Sequence, residues 1–223
     1  MGIKWYKKER DGYTVIRVAT QADVPEILNI YAPYIETTTV TFEYTVPSLE
    51  EFTERFRQVT KGFPWLLWEE EGKILGYAYA SLPFERAAYG WCAEPSIYLR
   101  PEARGKHIGK KLYAALEELL RQMGYILSFA VITGENRESL AFHRAQGYSQ
   151  CGLFHHCGLK FGRWLDVYWL EKRLSSVEIP RNTPVTWFDF SKDTQKIGNI
   201  LDKMSLFSLG KIWYGIRGHA ICI

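Results

Sequence analysis

Trp91-Cys-Ala-Glu-Pro-Ser-Ile-Tyr-Leu-Arg-Pro-Glu-Ala-Arg-Gly-Lys-His-Ile-Gly-Lys110 is the stretch from which the fold can be read. Ser96 to Leu99 reads as a buried strand, and Pro101 ends it because proline cannot donate to a ladder. Arg104-Gly-Lys-His-Ile-Gly109 is then a short, basic, glycine-bearing turn. Apolar residues follow at Ile108, Leu112, Leu116, Leu119, Leu120 and Met123, a helical spacing. A strand, a small-residue turn and a helix aim free backbone N–H groups at a phosphate. Arg104, Lys106, Lys110 and Lys111 add positive potential to the helix dipole there. The stretch predicts an anion site suited to a pyrophosphate. The plainer alternative is a helix that simply begins after a glycine turn among lysines.

On the N-terminal side, Met1 to Gly12 reads as a polar lead-in and Tyr13 to Val18 as a strand. Thr20 with Asp23, and Ser48 with Glu51, are capping-box pairs that open two helices. The first helix carries Val24, Ile27, Leu28, Tyr31 and Ile35 on one face, and the second carries Phe52 and Phe56 and stops at Gly62. Pro64 to Glu70 and Lys73 to Leu82 form an antiparallel pair around Glu71-Gly72. Phe84 to Gly90 is a loop.

On the C-terminal side, the apolar run Ile126 to Ile132 predicts a strand covered on both faces. Asn136 caps a helix from Arg137 to Gln146, which Gly147 ends. Tyr148 to Leu153 and Trp164 to Leu170 are strands, with Phe154 to Gly162 a loop between them. The order is β-α-α-β-β-β-α-β-α-β-β. From about Ser175 the character changes. Pro180 and Pro184 mark a linker, and Ile197, Ile200, Leu201 and Met204 a short amphipathic helix. An apolar tail, Trp213 to Ile223, closes the chain. The division expected is a main domain over 1–174 and an extension over 175–223. The extension is too short for its own core and should pack on the domain or on a second subunit.

Composition narrows the class. The 223 residues are 47% apolar with a net charge of +3, without the basic stripe of a nucleic-acid binder. No apolar run approaches a membrane span. The start of the chain is charged rather than apolar, which predicts no secretory leader and a cytoplasmic setting. The four cysteines form no CxxC pair, so free thiols are expected. Cys151, His155, His156 and Cys157 match no zinc spacing, so no metal is expected.

The element order and the 104–109 turn resemble the GNAT N-acetyltransferase superfamily, whose pattern is Arg/Gln-x-x-Gly-x-Gly/Ala. Arg104 and Gly109 fit its ends, while His107 stands at the middle glycine. Its Cβ and ring crowd the cofactor's pyrophosphate unless φ there stays negative. Thr41-Phe-Glu, Phe84-Glu-Arg-Ala-Ala-Tyr-Gly-Trp-Cys-Ala-Glu, Phe142-His-Arg-Ala-Gln-Gly-Tyr and Gly158-Leu-Lys-Phe-Gly-Arg-Trp-Leu-Asp-Val are similar to the phosphinothricin acetyltransferase branch. The likeness covers about residues 14 to 173.

The resemblance implies an α/β (α+β) fold with a mostly antiparallel central sheet flanked by helices. It implies acetyl transfer from acetyl-CoA to the primary amine of a small amino-acid-like acceptor, such as phosphinothricin, methionine sulfoximine or an amino acid, by a homodimer. Polyamine, antibiotic or protein N-terminal acetylation, or a non-catalytic acetyl-CoA-binding module, are the other readings. Glu94 is implied as the base for the acceptor ammonium; its alternative is a structural pair with Arg86 or a lysine. The backbone of Ile97, Tyr98 and Leu99, opened by a bulge, would hold the thioester and pantetheine arm. Arg104, Gly105, Lys106, His107, Ile108, Gly109 and Lys110 would hold the pyrophosphate, and Asn136 and Ser139 contact the cofactor. His143 is either an acid or base, or a half-buried ring beside the cofactor. Arg86 is the candidate grip for an acceptor carboxylate or phosphinate, in a pocket with Phe42, Glu43, Phe84, Glu85 and Tyr89. Lys160 and Arg163 belong to a loop near the site or a subunit interface, or are simply solvated.

Overall fold

The computed structural model describes residues 7–9 and 12–206. The apolar tail from Trp213 and most of the polar lead-in lie outside them. One part of the lead-in is strand rather than loop: β1 (Lys7–Glu9) pairs antiparallel with β2 (Gly12–Val18). Thr20 and Asp23 form the expected capping box, on a single 3-10 turn that runs into α1 (Val24–Thr37). Ser48 caps α2 (Leu49–Gly62): its hydroxyl accepts from the Glu51 N–H at 3.2 Å, and the Glu51 carboxylate accepts from the Ser48 N–H at 2.8 Å.

β3 (Trp65–Glu70) and β4 (Lys73–Ser81) turn at Glu71 and Gly72, both at positive φ. β5 (Cys92–Leu99) leads into α3 (Ile108–Met123), β6 (Leu127–Thr133) and α4 (Arg137–Ala145). β7 (Ser149–Lys160) and β8 (Arg163–Arg173) follow, then α5 (Trp187–Phe190) and α6 (Thr194–Leu206). The sheet has eight strands in the order β1-β2-β3-β4-β5-β6-β8-β7. All neighbours are antiparallel except β5 and β6.

Residues expected in the 154–162 loop are strand. β7 continues to Lys160 through a bulge of His155, His156 and Cys157, which the Asp166 carboxylate holds by accepting from the His156 N–H at 2.9 Å. Two histidines, a cysteine and nearby glycines read as irregular in sequence because the stabilising partner sits on the next strand. Among the described residues no three metal-capable side chains gather.

Helices α1 and α2 cover one face of the sheet through Ile27, Tyr31, Phe52 and Phe56 against Trp65 and Tyr77. Helix α3 covers the other through Leu112, Leu116 and Leu120. Beside it pack Trp187, Phe190, Ile197, Ile200 and Leu201, so the described part of the extension shares the main core. The short helix α5 escapes the sequence reading because four residues carry no period. A separate cluster of Tyr113, Ala130, Ile132, Leu140 and Tyr148 seats α4 on β6.

Candidate functional site

Strands β5 and β6 pair only at Cys92↔Leu127 and Ala93↔Ser128, then part. The register with β4 gives the reason. The Arg100 N–H bonds to Leu75 O on the β4 side, and both N–H and C=O of Leu99 face the other way, onto the Tyr34 hydroxyl. By strand alternation, Ala93, Pro95, Ile97 and Leu99 direct their backbone groups toward β6. Pro95 has no N–H to donate at the step where the ladder stops. The β4–β5 register runs unbroken from Gly76↔Leu99 to Ser81↔Glu94. The expected bulge in β5 is therefore absent, and the strands open by splaying at a proline.

The gap is a cleft of about 650 Å³. Glu94, Ile97, Tyr98 and Leu99 line one wall, and Ala130, Val131, Asn136, Ser139 and His143 the other. Arg104, Gly105, His107, Ile108, Gly109 and Lys110 close one end. Lys106 is exposed and stands outside this lining. Helix α3 starts with its first N–H groups unpaired within the helix, as every helix does. Gly105 has φ +73 and His107 φ +59. The backbone thus takes the left-handed turn that a glycine would take, with an imidazole attached and exposed. This end has amides and cations that suit a pyrophosphate, but φ at His107 is positive, the condition under which its Cβ and ring were expected to crowd that group.

One expected cofactor contact is already engaged. The Tyr34 hydroxyl donates to Leu99 O at 2.5 Å and lies 3.3 Å from the Leu99 N–H, while Arg104 donates to it at 3.2 Å. Leu99 therefore offers no free amide, and Ile97 is the residue whose N–H and C=O face the gap. The sequence reading did not single out Tyr34, since its partner at Leu99 lies 65 positions away.

Glu94 is half-buried on the wall of the cleft. Burial raises its carboxyl pKa, with no compensating partner. No hydrogen bond or ion pair joins it to Arg86 or to a lysine among the described residues. Tyr79, whose hydroxyl bonds to Ser96, and Tyr113 both feel its charge.

His143 is 4% exposed. Its Nδ1 lies 2.8 Å from Ser139 O and 3.2 Å from Ser139 Oγ, and its Nε2 lies 2.9 Å from the Tyr113 hydroxyl. Burial lowers its pKa. Asn136 caps α4, its side chain accepting from the Ser139 N–H at 3.1 Å.

The acceptor candidates gather beyond the cleft. Glu94 and Tyr98 share the α1 face of β5, where the Tyr98 ring meets Tyr31 edge-on at 4.8 Å. Phe129 points to that same side, since its neighbours Ala130 and Ile132 include the residues packed under Tyr113. The Phe84 ring meets Tyr89 at 4.6 Å, Trp169 at 5.5 Å and Phe129 at 6.0 Å. Glu85 and Arg86 are exposed beside it. Phe42 instead brings the tip of its ring against Gly158 of β7. Lys160 is not on a solvated loop. It is 1% exposed, and its ammonium donates to Ile35 O at 2.8 Å and Thr41 O at 2.7 Å. Arg163 pairs with Glu135 at 2.7 Å.

A splayed parallel pair opposite a helix N-terminus defines the acetyltransferase class of fold. Residues 16–169 match the family model of the acetyltransferase (GNAT) domain, and the chain belongs to that family of N-acetyltransferases. It is 34% identical over 171 residues to a phosphinothricin N-acetyltransferase of Alcaligenes faecalis, covering 72% of this chain and 83% of that one. It is 37% identical to an L-methionine sulfoximine/L-methionine sulfone acetyltransferase of Pseudomonas aeruginosa, over 71% of this chain and 94% of that one. Among solved structures, a phosphinothricin acetyltransferase from Sinorhizobium meliloti in complex with acetyl-CoA superposes with TM-score 0.72 at 38% identity, covering 76% of this chain and 95% of that one. A ribosomal-protein-alanine N-acetyltransferase from Brucella melitensis gives TM-score 0.69 at 36% identity, covering 71% and 99%.

Proposed function

We propose that this protein transfers the acetyl group of acetyl-CoA to the primary amine of a small amino-acid-like acceptor, with Glu94 as the base. The observation that carries the reading is Glu94 on the wall of the strand gap, half-buried and unpaired, with its pKa raised by burial. A carboxylate in that state is a stronger base than a solvated one and is free to meet an ammonium.

Acetyl-CoA supplies a thioester carbonyl open to attack by an amine. The N–H groups opening α3, with Arg104, Gly105, His107, Gly109 and Lys110, hold the pyrophosphate. The outward amide of Ile97 pairs with the pantetheine or the thioester oxygen, and Asn136 lines the opposite wall. Glu94 takes one proton from the acceptor ammonium, directly or through water. Arg86 grips a carboxylate or phosphinate on the acceptor, beside Phe84, Glu85 and Tyr89, with Phe42 forming the far side. The molecule works as a homodimer in the cytoplasm.

The test is thiol release from acetyl-CoA with a panel of amino acids, phosphinothricin and methionine sulfoximine. Rate acceleration by one of these supports the reading, and CoA binding with no accelerating amine overturns it. A peptide beginning with alanine belongs in the panel because of the Brucella relative. A response to that peptide alone moves the acceptor from free amino acids to protein N-termini.

A further inference from the structure

We propose that the Ser139 hydroxyl, rather than the His143 ring, donates the hydrogen bond to the sulfur of the departing thiolate, with His143 and Tyr113 as positioning residues behind it. This rests on the acetyl-transfer reading above. The argument begins with an atom that can only accept. Ser139 O is a carbonyl oxygen 2.8 Å from His143 Nδ1, so Nδ1 carries the hydrogen. Nε2 of a neutral ring is then an acceptor, and the Tyr113 hydroxyl at 2.9 Å donates to it. The lowered pKa keeps the ring neutral. Both nitrogens are satisfied inside the protein, on a side chain 4% exposed, so His143 has no polar atom left for the cleft.

Ser139 does. Its Oγ lies 3.2 Å from Nδ1 and takes a share of that hydrogen. A hydroxyl has one hydrogen and two lone pairs. With a lone pair facing His143, the hydrogen turns away from the ring. Ser139 is half-buried on the cleft wall that faces Ile97.

Tyr113 removes slack from the chain. It is fully buried, and its ring stands edge-on to Phe142 and His143 at 5.4 and 5.1 Å. Tyr148 packs against it at 6.0 Å, anchored by a 2.6 Å bond to Ser128 Oγ. The imidazole can neither flip nor change tautomer without leaving a buried group unpaired.

Ser139 donates its hydrogen bond as the sulfur takes the electron pair of the breaking C–S bond. The proton that finally neutralises the sulfur is the second one from the acceptor nitrogen, and Ser139 ends as it began.

The test reads the thiol of bound CoA directly, by titrating the ultraviolet absorbance of its thiolate in the binary complex. Ser139→Ala should raise that pKa by about one unit, and Ser139→Thr, which keeps the hydroxyl, should restore it. Tyr113→Phe should move it the same way by less. In turnover, Ser139→Ala should lower kcat roughly tenfold with KM for acetyl-CoA nearly unchanged. The loss should shrink for acetyl thioesters of more acidic thiols. A bound thiol that titrates alike in the parent and in Ser139→Ala overturns the assignment while the parent still turns over. A parent that binds no CoA overturns the acetyl-transfer reading as well. Ser139 is half-buried, so its variants read out even where Tyr113→Phe fails to fold.

Discussion

His107 holds φ +59, a conformation that costs a side chain with a Cβ about 1–2 kcal/mol. The chain adopts it because Gly105 and the start of α3 fix the backbone on both sides. His107→Gly should relieve that strain. It also gives back some freedom to the unfolded chain, so the net gain in denaturant melts should be about 0.5–1 kcal/mol. Calorimetry should find CoA bound more tightly, because the ring no longer borders the cleft. At Glu94 the expectation concerns pH. The base must be ionised, so the rate should fall as pH drops through a carboxyl pKa that burial has raised. Glu94→Gln should flatten that acidic limb and lower kcat on the order of 100-fold. An unchanged profile removes Glu94 from the proton transfer. The residue types at both positions were visible in sequence, but the sign of φ at His107 was not. Lys160 is the opposite case. Beside two glycines it read as part of a loop, near the site or an interface or simply solvated, whereas two backbone carbonyls from a helix and loop more than a hundred positions earlier hold its ammonium.

At the scale of elements, β7 and the loop after α1 are locked together by a missing side chain. A Cβ on Gly158 would stand 2.2 Å from Phe42 Cζ, so the ring must move for any other residue. Gly158→Ala should cost about 1–3 kcal/mol and displace the Phe42 loop. The kinetic mark should be a higher KM for the acceptor, with CoA affinity kept. The gap between β5 and β6 is the other device of this kind. Pro95 stood just before the strand read from sequence, Ser96 to Leu99; the structure puts it inside β5, and which partner it fails depends on strand parity. That parity comes from the pairing with β4, which no local pattern contains.

For the whole molecule, the question is whether the extension belongs to one cooperative unit. Leu201 is 1% exposed in the same core as Leu116 and Leu120 of α3. Leu201→Ala should lower global stability by about 2–4 kcal/mol, in a single transition followed by both fluorescence and circular dichroism. A separate early transition, with the main one unmoved, would make the extension a detachable appendage. The family model ends at residue 169, so the extension lies outside the matched acetyltransferase domain.

The sequence by itself determined most of the order of strands and helices, the two capping boxes, the turn at Glu71-Gly72 and the basic turn before α3, but not β1, α5 or the continuation of β7 to Lys160. Each feature it determined rests on neighbours within a few positions, where propensity and periodicity act. Only the tertiary structure decided that the strands part by splay rather than bulge, that Tyr34 occupies the amide of Leu99, and that His143 faces inward onto Tyr113. Those outcomes join groups 30 to 65 positions apart. Their energy comes from satisfying polar groups that packing has removed from water, and that depends on which surfaces meet.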